Sequence, residues 1–155
     1  MLQEITRESL TGFYEGWDEQ KFTDTKKESF YIEGPSGKLL AADLISPVDA
    51  EGRKPEQPLP AILIMSRGGR YEPVKGNGDA IVSHLIPYGY YVMVVELEGC
   101  GASFGSCTSF GGETERQDAA CAIRWLAAQP FCSGKIGMAG ISNRAAADMF
   151  LDAIR

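Results

Sequence analysis

Three short apolar runs constrain the fold of this chain more than any other feature. Ala61-Ile62-Leu63-Ile64-Met65, Tyr90-Tyr91-Val92-Met93-Val94-Val95 and Ile136-Gly137-Met138-Ala139 carry no charge. A strand with one wet face alternates polar and apolar residues, so unbroken runs suit strands covered on both faces, as in a parallel sheet. Between the runs lie segments with helical spacing. Asp79 to Tyr88 places Ile81, Leu85 and Ile86 on one side. Glu113 to Gln129 opens on acids, presents Ala119, Ala122, Ile123 and Leu126 on one face, and stops at Pro130. Asn143 to Ile154 reads as a last helix. Strands alternating with helices need crossover connections, which makes the class α/β.

Ahead of these units, Glu28 to Glu33 and Leu39 to Ile45 flank Gly34-Pro35-Ser36-Gly37, the signature of a β-hairpin. Pro47, Pro55, Pro58 and Pro60 mark residues 46–60 as a surface loop. Residues 1–27 are polar and weakly patterned, an extension with Phe13, Tyr14, Trp17 and Phe22 as anchors. Residues 28–155 then form one α/β unit: a hairpin followed by β-α-β-α-β-α on a mostly parallel sheet.

The segment Lys135 to Ala146 carries the chemistry. A short strand, the corner Gly140-Ile141-Ser142 and an Ala-rich helix have the layout of a nucleophile elbow. Such a corner holds a serine hydroxyl on a sharp turn, where the first N–H groups of the helix face a developing oxyanion. Gly140, Ala145 and Ala146 are small enough for the close approach this needs. The plain alternative is an ordinary serine in a tight turn. The single histidine, His84, precedes the serine and reads as a surface or partly buried structural residue. Asp118 and Asp148 fall inside helices, and Asp118 reads as a packing or capping carboxylate. Trp125 belongs to a buried helix face.

Composition removes several classes. A net charge of −6 with no basic run disfavours nucleic acid and anionic membranes. Met1 to Trp17 lacks an apolar core for a leader, and no stretch nears the roughly 20 apolar residues of a membrane span. A soluble, cytoplasmic protein is expected. Cys100, Cys107, Cys121 and Cys132 contain no Cys-x-x-Cys pair, so they are expected to be reduced and unpaired, without a metal. Gly99 to Gly105 has the glycines of a dinucleotide fingerprint. However, Ser106 to Gly112 continues the loop where a helix should open, so no cofactor is expected.

In this order the motifs resemble the N-terminal part of the α/β-hydrolase domain in the cocaine esterase and X-Pro dipeptidyl peptidase family. The resemblance runs from about Tyr31 to Leu151. It rests on Gly37 to Leu44, Val94 to Gly105, Glu115 to Asp118, Ile123 to Pro130 and Gly134 to Ser142. It implies that Ser142 attacks an ester or amide carbonyl and forms an acyl-serine intermediate. The Asn143 N–H, with Gly68 and Gly69 of the loop after Ala61–Met65, would hold the oxyanion. Gly68-Gly69 reads equally as a plain loop.

Three departures from the family pattern matter. Asn143 stands where the family usually has Tyr, and Gly68 stands where the family places a Tyr that completes the oxyanion hole. The family's later strands, helical cap, C-terminal β domain, Asp and His follow the elbow helix, whereas this sequence stops 13 residues after Ser142. Without a histidine base a serine hydroxyl is a feeble nucleophile. The expectation is a serine hydrolase of esters or peptides that is incomplete in this chain, with an inactive remnant or binding module as the alternative. Its partners would be a small ester or peptide substrate, if active, and a second copy or complementing chain at an exposed sheet edge.

Overall fold

The structure, a computed structural model, describes residues 20–70, 84–107 and 110–140. Ser142, Asn143, the helix expected at 143–154, most of the N-terminal extension and residues 79–83 of the first expected helix lie outside the described residues.

Strand β1 (Asp24–Glu33) and strand β2 (Leu39–Val48) form the expected hairpin, antiparallel from Asp24↔Val48 to Glu33↔Leu39. Its turn closes through the Gly34 N–H donating to the Lys38 carbonyl at 2.7 Å and the Gly37 N–H donating to the Gly34 carbonyl at 3.0 Å. Pairing begins four residues ahead of Glu28. The Thr23 N–H extends it to the Val48 carbonyl at 3.2 Å. As an edge strand β1 presents polar, mostly exposed side chains, so composition does not mark Asp24 to Lys27 as strand.

Three further strands complete the sheet: β3 (Leu59–Ser66), β4 (Tyr91–Glu96) and β5 (Cys132–Met138). Their order is β1-β2-β4-β3-β5. β2 meets β4 antiparallel, while β3 lies parallel to both β4 and β5, with Ala61↔Tyr91 and Ala61↔Ile136 in register. The mixed sheet with a parallel core matches the α/β expectation. β5 starts four residues before the apolar run at Ile136, because Ser133, Gly134 and Lys135 are exposed at the sheet's other edge and carry no apolar signal.

Helix α1 (Glu113–Ala127) covers one face of the sheet. Ala119, Ala122 and Leu126 pack with Leu63, Met65, Met93 and Val95, and the ring of Phe30 stacks on Trp125 at 5.1 Å. On the opposite face Ile45, Ile64, Val92 and Val94 pack with Ile86 of a one-turn 3-10 helix, Ile86–Tyr88. Successive residues of β4 thus point into two apolar layers, which explains its unbroken apolar run. Burying a Leu- or Val-sized side chain contributes about 1.5–3 kcal/mol, and β4 is buried throughout.

Candidate functional site

β3, β4 and β5 run in one direction, so Ser66, Glu96 and Met138 leave the sheet at the same edge. In open α/β sheets ligands bind at this carboxyl edge. The loop after β3 is folded onto itself there. The Ser66 hydroxyl donates to the Gly69 carbonyl at 2.8 Å, and the Ser66 carbonyl accepts the Leu97 N–H at 3.0 Å. Gly69 has φ +104°, a left-handed conformation that a Cβ disfavours. Gly68 is exposed and Gly69 half-buried. Beside them, the Ala139 N–H donates to the Leu63 carbonyl at 3.1 Å, carrying β5 toward the same loop.

Glu96 anchors the edge from beneath, only 4% exposed. Its Oε1 accepts the Arg70 N–H at 3.0 Å and its Oε2 accepts the Ala102 N–H at 2.7 Å. The Arg70 guanidinium lies 3.6 Å from Glu96 Oε2 and 3.3 Å from Asp43 Oδ1, and donates to the Ala42 carbonyl. Lys27 Nζ meets the other Asp43 oxygen at 2.6 Å. Two buried carboxylates are therefore balanced by two cations, the arrangement that makes buried charge tolerable. Gly101, at φ +56°, lets the loop after β4 close over this carboxylate: a Cβ there would lie 2.3 Å from Glu96 Oε1. Ser103 completes the brace, donating to the Glu96 carbonyl at 2.7 Å and accepting the Ala41 N–H at 2.8 Å.

Helix α1 holds the same loops from outside. Buried Glu115 pairs with Arg67 and accepts the Gly111 N–H at 3.1 Å, while the Arg67 guanidinium lies 4.4 Å from the centre of the Phe110 ring. Asp118, fully buried, accepts the Glu98 N–H at 2.8 Å through Oδ2. Burial pushes its pKa up from the usual 3.8 to about 6, against the lowering effect of the Glu98 N–H and with a smaller rise from the Glu98 charge. Its role is to brace the loop after β4, as the sequence suggested. Trp125 packs against the core, also as expected.

Among the sequence-predicted site residues, Gly68 and Gly69 lie at the carboxyl edge, and β5 leads toward Gly140 there. Ser142 and Asn143 fall outside the described residues. His84 is exposed and precedes β4, at the opposite end of a strand six residues, about 20 Å, long. Sequence reasoning missed the Asp43–Arg70–Glu96 network. The available signal was an acid at the end of an apolar run, Val94-Val95-Glu96, followed by closely spaced glycines. Among the described residues no helix is long and apolar enough to cross a membrane.

Solved structures share this architecture. One is a CocE/NonD family hydrolase from Staphylococcus aureus, with TM-score 0.71, 19% identity, and 86% of this chain aligned to 26% of that one. An alpha-amino acid ester hydrolase gives TM-score 0.61, 18% identity, and 92% of this chain on 25% of that one. A member of the a/b serine hydrolases without a lid, from Xanthomonas campestris, gives 0.61, 20%, 86% and 58%. The chain thus has the N-terminal part of an α/β-hydrolase fold. Over residues 36–153 it matches the sequence pattern of the X-Pro dipeptidyl-peptidase (S15) family, and it belongs to that family. No curated protein matches it. The chain spans only 26% and 25% of the first two structures' lengths.

Proposed function

We propose that this chain is the nucleophile-bearing part of a serine hydrolase acting on small esters or peptide amides. Ser142 attacks the carbonyl carbon, and the Asn143 N–H with the backbone of Gly68 and Gly69 receives the oxyanion. The base and its acid come from polypeptide other than residues 1–155, because the chain's single histidine lies at the far end of β4. The observation that carries this reading is the loop Ser66–Arg70, clamped by Glu96 at the edge where β5 ends, two residues before Gly140. A pre-set loop is what oxyanion stabilisation needs, since donors fixed in advance cost no reorganisation during the reaction.

The test is hydrolysis of short acyl esters and X-Pro amides by a polypeptide containing these residues. Ser142→Ala should lower kcat on the order of 10⁶-fold. Unchanged turnover in that variant would overturn the assignment.

A second reading, that this segment acts as an assembly module, is favoured by one observation. Among the described residues β5 pairs on one side alone, and an apolar groove of about 630 Å³ lined by Pro60, Ile62, Tyr90 and Ile136 lies against it. An edge of this kind recruits another strand, from a second copy or a complementing chain.

A further inference from the structure

The loop after β4 turns back so tightly that its ends touch. The Gly99 N–H donates to the Phe104 carbonyl at 3.0 Å, and the Ser103 N–H donates to the Cys100 carbonyl at 2.9 Å. A Cβ on Gly99 would lie 2.1 Å from the Cys107 backbone nitrogen, so the chain at 107 lies directly against the chain beside Cys100. The two cysteines are near enough that Cys107 adds to the rise that burial gives the Cys100 thiol pKa. Cys107 is exposed and Cys100 half-buried. The Arg67 guanidinium donates to Cys107 Sγ at 3.1 Å. The other two cysteines sit elsewhere: Cys121 Sγ faces the Glu33 carbonyl at 3.0 Å, and Cys132 is buried.

We propose that Cys100 and Cys107 form a peroxide-reactive dithiol site, in which Cys107 is oxidised first and Cys100 resolves it to a disulfide. Exposure favours attack at Cys107, because peroxide must reach the sulfur, and the Arg67 guanidinium holds that sulfur at the surface. Burial, foremost, and then Cys107 keep the Cys100 thiol pKa raised, which argues against Cys100 as the sulfur that reacts first.

In the first step Cys107 sulfur attacks one oxygen of hydrogen peroxide. The O–O bond breaks, the thiol proton leaves with the departing oxygen as water, and a sulfenic acid remains on Cys107. In the second step Cys100 sulfur attacks Cys107 sulfur. The S–O bond breaks and the hydroxyl departs as water with the Cys100 proton. Two thiols and one peroxide give one disulfide and two waters, the sulfur pair losing the two electrons the peroxide gains. Because Arg67 shares its loop with Gly68 and Gly69, oxidation acts on the contact that holds that loop's flank. The inference stands whether or not Ser142 is a nucleophile.

The test is peroxide treatment of the chain, alkylation of the remaining thiols, and chymotryptic digestion. Phe104 lies between the two cysteines, so cleavage after it leaves the fragments joined only by a Cys100–Cys107 disulfide. The expected result is loss of two of the four thiols, with those fragments joined until dithiothreitol separates them. In Cys100→Ser the sulfenic acid should persist on Cys107 and be trapped by dimedone, while circular dichroism checks that the variant folds. Should a variant fail to fold, the digest of the unsubstituted chain decides alone. Four intact thiols at a peroxide dose that oxidises the urea-unfolded chain would overturn the proposal. So would a disulfide through Cys121 or Cys132, or a sulfenic acid trapped on Cys100 instead.

Discussion

Asp118 makes the structure's sharpest thermodynamic claim. It is fully buried in helix α1, it accepts the Glu98 N–H at 2.8 Å, and its folded pKa stands near 6 against the usual 3.8. A carboxyl group with a raised folded pKa binds its proton more tightly folded than unfolded. Its contribution is therefore most favourable below pH 3.8 and is lost as pH rises to about 6. A shift of roughly two units at 1.36 kcal/mol each amounts to about 3 kcal/mol. Asp118→Asn removes the ionisation and keeps an amide oxygen for the Glu98 N–H. Urea unfolding of both chains, followed by circular dichroism at pH 4, 5, 6 and 7, isolates the effect, because every other carboxylate is common to both. The variant should gain about 2.4 kcal/mol relative to the unsubstituted chain between pH 4 and pH 7, the rest of the roughly 3 kcal/mol lying below pH 4. Parallel stability profiles across that range would refute the reasoning.

Other outcomes follow from the same edge of the sheet. Glu96→Gln turns an amide NH₂ toward one of two N–H donors and leaves Arg70 with Asp43 alone; urea unfolding should show a loss of about 3–5 kcal/mol. Gly101→Ala adds left-handed backbone strain of about 1–2 kcal/mol to the clash with the Glu96 carboxylate, so its loss should exceed that of an exposed Gly→Ala change. Leu63→Ala, in a fully buried site, should cost about 2–5 kcal/mol in the same assay. Sedimentation of the isolated chain should show self-association through β5, whereas a cooperative monomer would count against the assembly reading.

What was legible in the sequence was whatever depends on burial of apolar side chains. The runs at Ala61 and Tyr90 announced β3 and β4 because both faces of those strands are covered. The acids at Glu113 and the stop near Pro130 bounded α1 within two residues. Where polar side chains carry a strand, the signal failed: Asp24 to Lys27 and Ser133 to Lys135 are edge positions whose backbone pairs while their side chains meet solvent. The buried ionic network was hidden for a different reason. Asp43, Arg70 and Glu96 are far apart in the chain, and only the β2–β4–β3 strand order brings them together. No local spacing encodes that meeting.

The central functional claim is that Ser142 is the residue that takes an acyl group. A fluorophosphonate probe traps such a serine covalently, and trypsin should release it in the peptide Ile136 to Arg144, in which Ser142 is the one serine. The account predicts a phosphonyl adduct on that peptide in the active polypeptide, lost in Ser142→Ala. An active polypeptide whose adduct sits on a different serine, or whose activity survives with this peptide unlabelled, would contradict it.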